Sequence, residues 1–215
     1  MSGRITALEP QKRNQERVNV YLDEDFAFGL AAFTAMKLRV GQWLSDPEIA
    51  ELKASDEVEK ARENALNYLA YRPRSEAELR RHLAEKGYDP EAIEEVLTRL
   101  AEVGLVDDVA FGQYWVENRS QFKPLGRRAL IQELRRKGIT PSVMENVLAE
   151  HDEEESAYAV AREQARKLAH LPPDQFRRRL SERLARRGFS YDLIQEILAA
   201  YPAPPTNSEE SEDME

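Results

Sequence analysis

The side chains best placed to do chemistry in this sequence are basic, and they come in clusters. Arg72, Arg74 and Arg81 form one. Lys123, Arg127, Arg128, Arg135, Arg136 and Lys137 form a second, and Arg178, Arg179, Arg183 and Arg186 a third. A guanidinium is a planar, permanently charged fork that matches the oxygens of a phosphate, so such clusters are candidates for holding a phosphate backbone. That chemistry is binding, without bond-making. Nothing else points to catalysis. The chain has no cysteine, which excludes a thiol nucleophile, a disulfide scaffold and cysteine-ligated zinc. His82, His151 and His170 show no metal-ligand spacing, and the nine glycines never approach closer than Gly104 and Gly112. Dinucleotide and P-loop motifs need tighter glycine spacing than that. The expectation is a non-enzyme that uses no cofactor.

The charge is sorted along the chain. Overall, 31 Lys and Arg face 40 Asp and Glu, for a net charge of −9 in 215 residues. Segments 72–88, 122–140 and 174–189 carry +2, +5 and +4, while 89–108 and 141–160 carry −6 each. An acidic body bearing basic strips does not suit a general DNA-coating protein. It suits a partner that presents both phosphate and protein. Charged helix faces are also often simply solvated, and Glu76–Arg80, Glu133–Lys137 and Glu182–Arg186 have the i,i+4 spacing of such pairs.

These clusters are positioned by an internal repeat. Aligned on Gly87, Gly138 and Gly188, the chain places Leu79, Leu130 and Leu180 eight residues earlier and Leu83, Leu134 and Leu184 four earlier. Lys86, Lys137 and Arg187 come immediately before the glycines, and Tyr88, Ile139 and Phe189 immediately after. Leucines at i and i+4 make a helix stripe. The glycine ends that helix in the left-handed conformation, and the residue after it packs back. Ile93, Val96, Leu97 and Leu100 then give the buried face of a following helix. A further helix precedes each leucine pair, at about 57–71, 108–120 and 153–169. On the middle helices the wheel turns Arg81, Arg128, Arg135, Arg136, Arg178, Arg179 and Arg186 outward.

The expected fold is mainly α, with three tandem three-helix repeats in an elongated array behind a small antiparallel β segment. The expected divisions are 1–56 for a β-hairpin-containing extension with short helices, 57–107, 108–152 and 153–201 for the repeats, and 202–215 for a disordered acidic tail. In the extension, Val18, Val20 and Leu22 alternate, Asp23-Glu24-Asp25 reads as a turn, and Ser45-Asp46-Pro47-Glu48 reads as a helix start. Arg72-Pro73-Arg74-Ser75 reads as a helix stop followed by an N-cap, its arginines also candidates for phosphate. Phe111, Tyr114 and Trp115 fall at helical spacing, which suits core better than base stacking. His151-Asp-Glu-Glu-Glu155 reads as an acidic helix start before a cation site. No apolar run early in the chain is long enough for a membrane span, so a cytoplasmic protein is expected; a monomer is the expected state, though no residue pattern fixes it.

Read as a set, these motifs resemble the RecX family, bacterial regulatory proteins that modulate the RecA recombinase. The resemblance rests on Tyr68-Leu-Ala-Tyr-Arg-Pro-Arg-Ser75, Glu78-Leu79-Arg80 and Lys86-Gly87-Tyr88. It continues through Asp108-Val-Ala-Phe111, Arg119, Lys123-Pro-Leu-Gly126, Glu133-Leu-Arg-Arg-Lys-Gly-Ile139, Phe176-Arg-Arg-Arg-Leu180 and Arg186-Arg-Gly-Phe-Ser-Tyr191. Val18-Asn-Val-Tyr-Leu22 through Phe26-Ala-Phe-Gly-Leu30 resembles the extension of longer members; the acidic tail does not belong to the pattern. The resemblance implies a protein that binds the RecA–single-stranded DNA filament, inhibits ATP hydrolysis and strand exchange, and so affects recombination, DNA repair and the SOS response. Two alternatives remain open from the residues alone: a helix-turn-helix-like DNA-binding regulator, and a helical scaffold that binds only protein.

Overall fold

The alternating front of the chain folds as a four-stranded antiparallel sheet. The computed structural model describes residues 2–12 and 14–201. The strands are β1 (Gly3–Gln11), β2 (Asn14–Leu22), β3 (Asp25–Ala31) and β4 (Trp43–Leu44), in the order β3-β2-β1-β4. Val18 pairs with Leu30 and Val20 with Phe28. The turn between β2 and β3 places Asp23 and Glu24 at φ +48° and +76°, a conformation that short polar side chains tolerate best. Ile5, Val20, Phe28 and Leu30 form a buried face with Leu44 and Ile49. The short helix α1 (Ala32–Ala35) contributes Ala35 to the same core.

Ser45 starts α2 (Asp46–Leu69) with a capping box, its backbone N–H reaching Glu48 Oε2 at 2.8 Å, and Pro47 stands in the first turn. Instead of a fresh start near residue 57, one helix of 24 residues runs from the extension into the first repeat. Its reason is Asp56. This buried carboxylate accepts from Arg17 of β2 at 2.8 Å, from the Ala31 N–H of β3 at 2.9 Å, and from Lys60 at 2.8 Å. The helix is thereby tied to the sheet at one of its own middle turns.

The chain divides into two units, residues up to Val106 and residues from Asp107. The first holds the sheet, α1, α2, α3 (Glu76–Glu85) and α4 (Pro90–Glu102). The second holds α5 (Asp108–Phe122), α6 (Arg127–Arg136), α7 (Pro141–Ala149), α8 (Glu153–Leu168), α9 (Pro173–Arg186) and α10 (Tyr191–Ala200). The described chain is thus mainly helical behind a β segment, with three three-helix repeats: α2–α4, α5–α7 and α8–α10. Residues 202–215, where the acidic tail was expected, lie outside the described residues.

Each repeat closes its own core around the aligned leucines. Leu79, Leu83, Ile93, Val96 and Leu97 meet Val58, Ala61 and Ala65 in the first. Leu130, Leu134, Met144, Val147 and Leu148 meet Phe111 and Val116 in the second. Leu180, Leu184, Ile194, Ile197 and Leu198 meet Ala157, Val160 and Ala161 in the third. The middle helices end alike. Gly87, Gly138 and Gly188 take φ +85°, +81° and +86°. The N–H of Tyr88, Ile139 and Phe189 reaches back to Leu83, Leu134 and Leu184 at 3.3, 3.1 and 3.4 Å. This is the Schellman ending, with the residue beyond the glycine folded onto the leucine it bonds. Ser75, Asp107, Asp152 and Ser190 supply N-caps to α3, α5, α8 and α10.

Burial alone would raise the Asp56 carboxyl; the hydrogen bonds and charges of Arg17 and Lys60 outweigh it and hold the group below the ordinary aspartate value. A lowered folded value contributes stability above the unfolded pKa, near about 3.9, and loses it as pH falls through the folded value. Asp56→Asn is therefore expected to cost about 2–3 kcal/mol of unfolding free energy at pH 7. The gap to wild type should narrow below about pH 4, as urea titrations at pH 7 and pH 3 will read directly.

Candidate nucleic-acid interface

The basic clusters separate into side chains held by the fold and side chains left to solvent. Arg72 grips Glu78 with two bonds of 2.9 Å and also donates to the Pro73 carbonyl, closing the turn between α2 and α3. Arg74 lies 3.8 Å from the Tyr68 ring centroid, and the same ring stacks on His82 at 3.9 Å. Arg127 donates to the Leu148 carbonyl at 2.8 Å, Lys137 sits 4.6 Å over Trp115, and Arg183 bonds Gln164. These five work first as structural side chains.

The rest point away from the core. Arg81, Lys123, Arg128, Arg135, Arg136, Arg179 and Arg186 are exposed, and their side chains have no partner among the described residues. Arg178 bonds Glu182 at 3.1 Å yet remains 81% exposed. Glu182 thus pairs one turn back, with Arg178, instead of with Arg186 as the spacing suggested. Glu76–Arg80 forms as expected at 2.7 Å, and Arg80 also bonds Glu94. On α3, therefore, Arg80 is neutralised within its own repeat and Arg81 alone of its two arginines stays free. On α6 and α9 more arginines stay free. Arg177, exposed beside Arg178 on α9, joins the free set; it stands in the same run of three arginines that the sequence displays.

Of the three aromatic residues grouped by spacing, Phe111 is core as expected, Tyr114 is exposed instead, and Trp115 donates to Glu133 Oε2 at 2.8 Å, which also accepts from Arg119 at 2.7 Å. With Arg119 and Lys137 both against it, the indole is a packed hub between α5 and α6. The run from His151 to Glu155 is a helix start. Asp152 caps Glu155 N–H at 2.8 Å, and Glu153 accepts from the Arg127 N–H at 2.8 Å. Burial holds His151 below the ordinary histidine value. Among the described residues no group of three or more histidine, aspartate and glutamate side chains is placed to hold a metal ion.

A close backbone approach also joins the second and third repeats. Gly126, immediately before α6, packs its backbone on the glycine turn that ends α9. A Cβ on Gly126 would lie 2.4 Å from the Gly188 carbonyl carbon, and one on Gly188 would lie 2.6 Å from Ala129 N. The Gly126 N–H donates to the Arg187 carbonyl at 2.9 Å, and Arg187 Nη1 donates to the Pro124 carbonyl at 3.1 Å. The start of α6 is thus fixed against the end of α9. Arg128 and Arg186 each stand two residues from these glycines. The repeat alignment singled out Gly188 for its turn; nothing in the sequence spacing said that Gly126 would meet it.

Family models match this chain in four consecutive pieces. The Regulatory protein RecX N-terminal domain matches residues 3–44, and the first, second and third three-helix domains of RecX match 61–100, 107–148 and 152–198. The chain belongs to the RecX family. A Regulatory protein RecX of Bacillus licheniformis is 34% identical over 199 residues, covering 90% of this chain and 76% of the relative. That of Clostridium botulinum is 31% identical over 203 residues, covering 91% and 95%. A crystal structure of a regulatory protein RecX superimposes with a TM-score of 0.74 at 28% identity, covering 92% of this chain and 99% of the other. RecX from Lactobacillus salivarius, 24% identical, shares the fold with a TM-score of 0.62 over 68% of this chain and 97% of its own. No helix among the described residues is long and apolar enough to cross a membrane.

The Gly126–Gly188 approach sets a sign that can be measured. At φ −73° a glycine-to-alanine change would by itself stabilise by about 0.4–1 kcal/mol through the unfolded chain. The backbone clash outweighs this, and Gly126→Ala is expected to cost about 2 kcal/mol net in urea unfolding. A neutral or stabilising Gly126→Ala would mean that the joint is not closed in solution.

Proposed function

We propose that this RecX-family protein regulates a RecA recombinase by binding the RecA–single-stranded DNA filament and lowering its ATP hydrolysis and strand exchange. Through that it affects homologous recombination, DNA repair and the SOS response. It acts in the cytoplasm as a monomer and performs no catalysis of its own. The observation that carries the nucleic-acid part is the set of unpaired arginines on α6 and α9, two helices fixed to each other at Gly126 and Gly188. Their guanidinium groups reach phosphate without first breaking an ion pair, and phosphate contacts position a protein without reading sequence. The acidic segments 89–108 and 141–160 supply the opposite charge for basic patches on recombinase subunits. Contacts spread over several subunits add by avidity, so each can be weak.

The test is fluorescence anisotropy of one labelled single-stranded oligonucleotide, titrated naked and then coated with RecA and a slowly hydrolysed ATP analogue. Clearly tighter binding to the coated strand is expected, followed by reduced ATPase. Equal or weaker binding to the coated strand would refute the filament reading and leave a plain DNA binder or a protein scaffold.

The residues have their own test. If Arg135 and Arg136 each contact one phosphate, Arg135→Ala with Arg136→Ala lowers the slope of log affinity against log salt by about 1.4 for single-stranded DNA. An unchanged slope removes both from the DNA-facing surface.

A further inference from the structure

The glycine turn that ends the middle helix is an acceptor for extended backbone, and the third repeat shows it occupied. There, the loop before α6 lies on Arg187-Gly188-Phe189: its Gly126 N–H bonds the Arg187 carbonyl, and the Arg187 side chain returns a bond to the Pro124 carbonyl. Gly188 has no free space, because Ala129 fills the position a Cβ would take. The first repeat carries the same turn as Lys86-Gly87-Tyr88, with the same left-handed glycine and the same return bond to the middle helix. Here the turn is open. Nothing lies within 4 Å of a Cβ built on Gly87, and no donor among the described residues reaches the Lys86 carbonyl.

The open turn forms one end of a groove of about 390 Å³ whose other walls are Phe28 and Gly29 of β3 and Lys53, Asp56, Glu57 and Lys60 of α2. The two acids in this lining are already in use. Asp56 accepts from Arg17, Lys60 and the Ala31 N–H, and Glu57 accepts from the Asp89 N–H at 2.9 Å. Lys60 is committed to Asp56 at 2.8 Å, but the other two lysines are not so held: Lys53 rests its ammonium 5.3 Å over the Phe28 ring, and Lys86 is exposed without a partner among the described residues. The groove therefore offers an open backbone acceptor, a glycine surface and ammonium groups to an entering ligand.

We infer that this groove in the first unit binds an extended acidic peptide segment of a partner protein, docked on Lys86-Gly87 as the loop before α6 docks on Arg187-Gly188. A backbone N–H of the segment bonds the Lys86 carbonyl, and the Lys86 ammonium takes the place of the Arg187 guanidinium on a carbonyl of the segment. A glycine or other small residue lies against Gly87, and a flanking carboxylate meets Lys53. The site is distinct from the arginines of α6 and α9 and does not rest on the nucleic-acid reading.

The probe is a fluorescein-labelled peptide of repeating Asp-Gly-Glu, titrated into the full-length protein at two salt concentrations. Binding is expected to weaken about tenfold in Lys53→Gln with Lys86→Gln, while the thermal melt by circular dichroism stays that of the wild type. In the ¹⁵N-labelled protein the Gly87 and Tyr88 amides are expected to shift on titration. Absence of binding, unchanged affinity in the double variant, or shifts confined to α6 and α9 would overturn the proposal. So would a protein ending at Tyr201 that binds the probe about tenfold more tightly, because the occupant would then be the chain's own acidic tail.

Discussion

No side chain fits at Gly126, and much of the second unit follows from that. Helices in this protein prefer a polar N-cap, and Ser75, at the matching place in the first repeat, supplies one. At α6 the cap is given up so that backbone can touch backbone. The orphaned N–H groups then find partners in the neighbouring repeat: Gly126 donates to the Arg187 carbonyl, and Arg127 donates to the Glu153 carboxylate at the start of α8. The carboxylate is also the right charge for the positive end of α6. One close approach thus joins two repeats by backbone packing, hydrogen bonding and electrostatics together. It also leaves the outer faces of both basic helices clear.

The same device explains why the third repeat does not offer another joint of this kind. Counting twelve residues back from the turn glycine gives Ser75 in the first repeat, Gly126 in the second and Phe176 in the third. Phe176 lies inside α9, a helix of 14 residues against 10 for α6, and its ring is core. Its N–H is already bonded to the Pro172 carbonyl at 2.8 Å. Terminal repeats of stacked arrays carry atypical outer faces, and a lengthened helix is one way to make such a face. At the front of the chain the atypical element is the sheet, bound to α2 through Asp56.

What the sequence made legible follows from how local each signal is. The repeat, its aligned leucines and the left-handed glycines are short-range features, and they stand where the spacing put them. The cap residues Ser45 and Ser75 are equally local. The partnership of each arginine was not legible, because it is decided by groups far along the chain. Arg80 is taken by Glu94, Arg127 by the Leu148 carbonyl and Arg183 by Gln164. A helix wheel reports direction and leaves out what stands in that direction. The continuity of α2 was hidden for the same reason, since the force that holds residue 56 in mid-helix comes from β2.

This distribution of partners also argues for where a phosphate backbone would lie. An arginine already bonded to carboxylates must surrender those bonds before it meets a phosphate, and the exchange gains little. Arg80 is in that position, and Arg72 is more so, because its partner Glu78 is buried. Arg128, Arg135 and Arg136 share their helix with a single acid, Glu133, which Trp115 and Arg119 already occupy. Arg179 and Arg186 are similarly unopposed, with Glu182 turned to Arg178. The free charge of the middle helices is therefore concentrated in the second unit, although all three repeats display arginine. Phosphate should accordingly be drawn to α6 and α9 in preference to α3, on the same physical grounds that leave the first unit free for a different partner.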